Sequence, residues 1–324
     1  MIKLGIIGAG PNAAGNAQQF AALETRCRIV AVVDPVEAAA RKLASAHGAK
    51  TFAEASQLFD EVDAVVISSP NFLHPEQTIA AAQAGKHVWC EKPMALNDAD
   101  AERMVAAVTK AGVASFVGFT VRFEPMIRKL KEIFESGRLG IPISIWSRRL
   151  CHFAPTREGT WRFDSAKSGG VMSELTAHEI DWMVDLAGDP RSIYGRKASR
   201  RHDDPRDNDH VWITLDFGND FIGTIEGSQM SPVPEFYRGV IGTEGAVYTT
   251  NWGGMVQFMT PGQTEPLDLK LGPAFDKYAH FLDVIEGRCA SVADVSWGRK
   301  IVRISDQAIA SALSGEAIKF DAKN

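Results

Sequence analysis

The spacing of hydrophobic positions changes character once along this chain, near Arg122. Before it, short apolar runs alternate with amphipathic stretches. Ile2 to Ile7, Arg28 to Val33, Ala64 to Ile67, a run around Val88 and Ser115 to Phe119 read as strands. Between them the pattern predicts helices: one from a glycine turn to Leu23, one over Val36 to His47 closed by Gly48, one over Pro75 to Ala84 closed by Gly85, and one over Ala99 to Lys110. Near-continuous apolar strands separated by helices belong to a parallel sheet covered on both faces. The expectation is a doubly wound α/β domain.

After Arg122 the strands follow one another without helices between them. Helices are predicted over Pro125 to Ser136 and Glu174 to Leu186, and Ile141 to Leu150 alternates as a strand of an antiparallel sheet. Ser192 to Ser199, His210 to Phe217, Phe221 to Gln229, Tyr237 to Gly242, Ala246 to Thr250 and Met255 to Met259 then come in succession, and helices around Tyr278 to Glu286 and Trp297 to Leu313 close the chain. This pattern predicts an α+β domain with a large, mostly antiparallel sheet. The expected division is residues 1–122 and 123–324, with the closing helices free to return to the first domain. Trp212, Phe217, Phe221, Ile225, Phe236 and Tyr237 supply more apolar area than one covered face needs. Either the second face is a subunit interface or these side chains are ordinary core.

Composition narrows the classes. A chain of 324 residues suits two domains, and 45% hydrophobic with 23% charged residues is ordinary for a globular protein. A formal charge of −5 gives no general attraction to nucleic acid or an anionic membrane. Four cysteines without a CxxC pair suit a reducing, cytoplasmic setting, and no apolar run is long enough to span a membrane. The eight histidines lack ligand spacing, so no metal is expected.

The chemistry concentrates at strand ends. Gly8-Ala9-Gly10-Pro11-Asn12-Ala13 follows the first strand and opens the first helix, as a dinucleotide turn does. Gly8 permits the tight turn, Gly10 the approach of a pyrophosphate, and Ala13 close helix–strand packing. Asp34 ends the second strand, where a carboxylate accepts ribose hydroxyls and repels a 2′-phosphate; this favours NAD over NADP, although Asp34 could equally cap the next helix. Ser69, Pro70 and Asn71 leave the Ala64 strand at the level of a nicotinamide ribose. His74 either contacts cofactor there or only starts a helix. Lys92, preceded by Glu91 and followed by Pro93, stands at the carboxyl end of the Val88 strand, beside a bound cofactor and substrate, unless it is a solvated lysine paired with Glu91. Glu174 and His178, four apart on a predicted helix entered through Gly169 and Gly170, form a plausible proton-transfer unit. Asp181 either orients His178 or faces solvent.

Together, GIIGAGPNAAG, SSPNFLHPEQTIAAAQAGKHVWCEKPMAL and SGGVMSELTAHEIDWMVDLAG resemble the glucose–fructose oxidoreductase / inositol dehydrogenase / MocA (Gfo/Idh/MocA) family over essentially the whole chain. The resemblance implies an N-terminal Rossmann domain, a C-terminal domain with an open sheet, and homodimers or homotetramers assembled through that sheet. It also implies nicotinamide-dependent oxidation of a sugar, sugar derivative or cyclitol. By position, Lys92 matches the lysine that contacts substrate, and His178 the histidine that takes the hydroxyl proton. Glu174 stands where many members have aspartate, and Asn16 where many carry histidine.

On this reading, His178 accepts the substrate proton while Lys92 stabilises charge on the same oxygen. Arg122, His152, Trp161 and Arg162 are candidates for holding substrate, each with an ordinary packing or pairing role as its alternative. Arg148, Arg149, Cys151, His152 and Arg157 are expected around the pocket mouth. A reductase of a cyclic carbonyl compound on the same fold, and a dinucleotide-binding redox sensor, are the competing functions.

Overall fold

The computed structural model describes residues 1–152, 159–199, 210–250 and 254–321; Arg157 lies outside them. The chain divides into two compact units, Met1–Gly118 with Asp276–Val302, and Phe119–Phe275 with Arg303–Asn324.

The first unit is built on a six-stranded parallel sheet. Its strands are β1 (Ile2–Ile7), β2 (Cys27–Val33), β3 (Lys50–Phe52), β4 (Ala64–Ile67), β5 (His87–Cys90) and β6 (Ser115–Val117), in the order β3-β2-β1-β4-β5-β6. That order reverses direction between β1 and β4, where doubly wound sheets bind ligands. The apolar runs fill the sheet: Leu4, Ile6, Ala64, Val65, Val66, Ile67 and Val88 are fully buried. Helices α1 (Pro11–Ala21), α2 (Glu37–His47), α3 (His74–Gln83) and α4 (Asp98–Ala111) connect the strands. Gly48 and Gly112 end α2 and α4 in the left-handed conformation that glycine adopts at least cost. After Phe275 the chain adds α7 (Lys277–Ile285) to this unit, where Tyr278 and Phe281 join the Phe20, Trp89 and Phe116 aromatic cluster.

The second unit carries a nine-stranded sheet. Its strands are β7 (Pro142–His152), β8 (Ser192–Ala198), β9 (His210–Asp216), β10 (Ile222–Ser228), β11 (Met230–Gly242), β12 (Ala246–Thr249), β13 (Val256–Met259), β14 (Leu267–Leu269) and β15 (Ile318–Lys319). The order is β14-β13-β12-β11-β7-β10-β9-β8-β15. Helices α5 (Pro125–Glu135) and α6 (Ala177–Ala187) belong to this unit, and α8 (Val295–Ser314) begins in the first unit and ends in the second. No helix among the described residues is long and apolar enough to cross a membrane.

Two local expectations change. The Ile141 strand, expected to pair antiparallel, pairs antiparallel with β11 but parallel with β10. Alternation reports one covered face, not direction, and the long connection from β7 to β10 gives the chain room to return parallel. The strand expected to begin at Tyr237 begins at Met230. Its ladder skips from Met230 to Glu235, and Pro232 and Pro234 fall in that gap, where no ladder N–H is needed.

Of the six apolar residues flagged on this sheet, Phe221, Ile225 and Phe236 are buried, whereas Trp212 is 44% exposed on the opposite face. That face also carries Tyr194 and Ile241, both more than a third exposed, with Arg148 bridging Glu226 and Glu235 at 2.8 and 2.9 Å.

Candidate active site

The glycine turn sits at the point of strand reversal. Gly8 has φ +97°, and a β-carbon there would lie 2.8 Å from the Ser68 carbonyl carbon and oxygen and from the Ser69 nitrogen. No other residue type fits without strain. Gly10 precedes α1 without any side-chain cap, Pro11 takes the first helical position, and a β-carbon on Gly10 would meet nothing within 4 Å. Pro11 and Asn12 are exposed, while Ala13 is fully buried against the sheet. An uncapped helix N-terminus with open space in front of it fits a pyrophosphate, because the first N–H groups have no intrahelical partner.

Asp34 fixes the neighbouring turn. One oxygen accepts the Ala9 N–H at 2.7 Å, the other the Val36 N–H at 2.8 Å. The capping alternative is corrected in detail: α2 starts at Glu37 with Val36 as its cap residue and no side-chain cap. Each carboxylate oxygen keeps a further lone pair, so both backbone contacts are compatible with accepting a ribose hydroxyl.

The next two strand ends are tied together. Pro70 precedes a short 3₁₀ turn, Asn71–Leu73, and Asn71 is buried. The Ser69 hydroxyl bonds Gln77 at 2.5 Å. His74 begins α3 with its ring wholly buried, Nδ1 lying 2.9 Å from the Pro93 carbonyl and Nε2 3.0 Å from the Ser69 carbonyl. Burial lowers its pKa, against the smaller opposing pull of those carbonyls and Glu91. His74 thus ties the two turns together through its ring, the neutral form donating to one of the two carbonyls only. Lys92 is half-buried on the turn after β5, and the peptide bond to Pro93 is cis. The Glu91 carboxylate accepts from Asn16 Nδ2 at 2.8 Å and Trp89 Nε1 at 3.3 Å.

In the second unit the expected helix starts differently. Gly169 and Gly170 both have positive φ, and Val171–Leu175 then forms a π-helical turn before α6 begins at Ala177. Glu174 lies in that wider turn and His178 in the first turn of α6, so four-residue spacing no longer places them on one α-helical face. Both are buried, and Gln229 Nε2 donates to Glu174 at 3.1 Å.

Asp181 does not face solvent. It is fully buried and receives Arg122 Nε at 2.9 Å and a second, shorter bond from Nη2, while Arg122 Nη1 reaches Asp185 at 3.2 Å. This corrects the expectation for Arg122: its guanidinium anchors α6 rather than standing open for substrate. Trp161 and Arg162 share a 3₁₀ turn, with the guanidinium 4.4 Å from the indole centroid. His152 is exposed at the end of β7. Arg148 belongs to the outward face of the sheet, and Cys151 is buried.

Glu179, which spacing does not single out, is a heavily bonded carboxylate next to His178 in the chain. It accepts from Ser147 Oγ at 2.6 Å, Trp182 Nε1 at 2.8 Å, Arg149 Nη1 at 3.0 Å, and Arg238 through Nε and Nη2, both at 2.8 Å. Burial alone would raise its pKa, but Arg238, Arg149 and the Ser147 hydroxyl outweigh that and hold the carboxyl well below the usual carboxylate range. An acidic residue directly beside His178 was the available signal; its partners lie on β7 and β11, beyond any local pattern.

Comparison with known proteins agrees with this architecture. Residues 2–119 match the oxidoreductase family with NAD-binding Rossmann fold, and residues 127–248 match the GFO/IDH/MocA C-terminal domain. The chain is 30% identical over 260 residues to myo-inositol 2-dehydrogenase of Thermotoga maritima, covering 77% of this chain and 75% of that one. It is 30% identical over 253 residues to 2,7-anhydro-N-acetylneuraminate hydratase of Escherichia coli, covering 76% and 67%. The WlbA dehydrogenase from Bordetella pertussis, solved with NADH and UDP-GlcNAcA, shares the fold at a TM-score of 0.86 and 24% identity, covering 99% of each chain. The chain belongs to the Gfo/Idh/MocA family and is an NAD-dependent oxidoreductase.

Proposed function

We propose that the chain oxidises a secondary alcohol of a sugar, sugar derivative or cyclitol, with Lys92 and His178 as its catalytic side chains. The observation that carries this reading is the uncapped, open glycine turn at the strand reversal of the same sheet whose β5 end presents Lys92. The names of the Thermotoga and Escherichia relatives, a cyclitol dehydrogenase and a hydratase of an anhydro sugar acid, support the substrate class.

Bound NAD supplies the hydride acceptor. Gly8, Gly10, Pro11, Asn12 and Ala13 would hold its phosphates, Asp34 its ribose, and Ser69, Pro70 and Asn71 the nicotinamide end. His74 and Glu91 brace the turns beside it. Lys92 Nζ would donate to the reacting oxygen, and a ring nitrogen of His178 would take its proton; a fixed cation at such an oxygen is worth a few kcal/mol, roughly a hundredfold in rate. Glu174, oriented by Gln229, would accept from a second substrate hydroxyl. His152, Trp161 and Arg162 are the remaining candidates for holding substrate. Four unpaired cysteines support a reducing cytoplasmic location. The outward sheet face with Trp212, Tyr194 and Ile241 supports a homodimer or homotetramer assembled there.

The test is nicotinamide reduction by the purified protein across inositols, aldoses, glycosides and acidic sugars, with Lys92→Ala and His178→Ala alongside. Turnover should fall by about 10²–10⁴ in each variant, with NAD affinity nearly unchanged. Wild-type rates in both would sink the assignment. Cofactor binding without turnover on any substrate, in either direction, would instead favour a sensor.

A further inference from the structure

Three side chains of the first unit, Ser68, Glu91 and Tyr278, converge on the Asn16 carboxamide and use each of its polar atoms. Nδ2 donates to Glu91 at 2.8 Å and to Ser68 Oγ at 3.2 Å, and Oδ1 accepts the Tyr278 hydroxyl at 3.0 Å. Turning the amide over would set its oxygen against the Glu91 carboxylate, so the group has one orientation. Asn16 is buried on α1, the helix whose N-terminus fits the phosphates. Glu91 is the residue directly before Lys92. A β-carbon on Gly118 would lie 2.8 Å from Glu91 Oε1, so the carboxylate occupies room that only glycine leaves there.

Tyr278 completes the set from α7. Its ring stacks on Trp89 at 5.1 Å with 6° between planes and meets Phe20 edge-on at 5.0 Å. Burial, with Glu91 and Asp276 nearby, pushes its pKa up to about 12, so its hydroxyl remains a donor at any working pH.

We propose that Asn16 and Tyr278 are positioning residues: acting through Glu91, they fix the Lys92 turn relative to the phosphate-binding helix. Displacement of that turn from α1 breaks the Asn16–Glu91 bond at a part-buried carboxyl group, where a missing partner is costly. Tyr278 holds Asn16 in the orientation that makes this bond. The inference rests on the reading that Lys92 acts in hydride transfer. Its geometry can nevertheless be tested without turnover.

Three variants separate the roles. Asn16→Leu removes all three bonds while keeping the branched shape, Tyr278→Phe removes one hydroxyl and keeps the ring stack, and the double variant tests whether Tyr278 acts through Asn16. In the cofactor-free protein, amide exchange at residues 90–94 should rise about tenfold in Asn16→Leu while β1 and β4 stay protected. With substrate, kcat should fall about tenfold in Asn16→Leu and about threefold in Tyr278→Phe, with the dissociation constant for NAD little changed and no added loss in the double variant. Unchanged exchange at 90–94, or a uniform rise across the whole unit, would overturn the proposal, as would strictly additive losses. Absence of wild-type turnover on every substrate would overturn the hydride-transfer reading instead, and the exchange measurement would still decide the positioning.

Discussion

The two units place their candidate residues by opposite means. In the first, apart from the side-chain bonds at Glu91, backbone does the placing: Gly8 lies against Ser68, Asp34 accepts two backbone N–H groups, and His74 lies between two backbone carbonyls. In the second, buried charge does it. Glu179 receives five donors from four side chains beside His178, and Asp181 is clamped by Arg122 three residues further on. A backbone brace is local and leaves its mark on sequence as glycine, proline and a strand end. A charge brace reaches across the sheet and leaves only an unremarkable acidic residue. The two also differ in what disrupts them. Losing one partner of a buried ion pair strands the other, whereas a turn fails through steric strain.

The sharpest way to break the comparison is Glu179→Ala. It leaves Arg238 buried without the carboxylate it is bonded to, with only the more distant charge of Glu124 nearby, and should cost about 3–5 kcal/mol in denaturant unfolding, against much less for the exposed pair Arg41–Glu37. A loss under about 1 kcal/mol would mean that the charges merely tolerate one another.

The matching test in the first unit is Gly8→Ala. The left-handed backbone costs about 1–2 kcal/mol for any L-residue, and the methyl group would press on the Ser68 carbonyl. NAD affinity should fall at least about tenfold, read by cofactor fluorescence, with the second unit unchanged. Equal loss of protection in both units would erase the distinction.

Acid separates the units next. Burial lowers the pKa of His74, His87 and His280, all in the first unit. An unfolded histidine titrates near 6.5, so between that value and the lower folded one the unfolded chain binds more protons and stability drops as pH falls. Glu179 has the sign of a paired carboxylate: its contribution is fully present above about pH 4.3 and is lost only in stronger acid. Hydrogen exchange at pH 7.5 and pH 5 should therefore show the first unit loosening and the second holding. His74→Asn should flatten part of that change; an unaltered profile would remove His74 as a contributor.

This contrast also marks where sequence stops being legible. Strand ends at Ile7, Val33 and Ile67 were readable to the residue, because an apolar run, a turn residue and a helix start coincide there. Lys50–Phe52, Leu267–Leu269 and Ile318–Lys319 were not, since two or three residues carry no period. Spacing assigned Glu174 and His178 to one helix, and the π-helical turn after two glycines defeats the α-helical period it assumed. Arg122 and Asp181 stand 59 positions apart, and nothing in a single sequence couples them. Their pairing is a property of the fold.

The smallest expected effect probes a residue that sequence alone left with two roles. Asp34 holds the Ala9 and Val36 N–H groups, so Asp34→Asn keeps an acceptor for one of them while removing the charge that disfavours a 2′-phosphate. The ratio of kcat/KM for NAD over NADP should shift toward NADP by about tenfold, some 1.4 kcal/mol, with stability changed by less than that. A large stability loss at constant cofactor preference would make Asp34 a turn brace alone. Charge would then play no part in the first unit's choice of cofactor, and its reliance on backbone placement would be more complete than proposed.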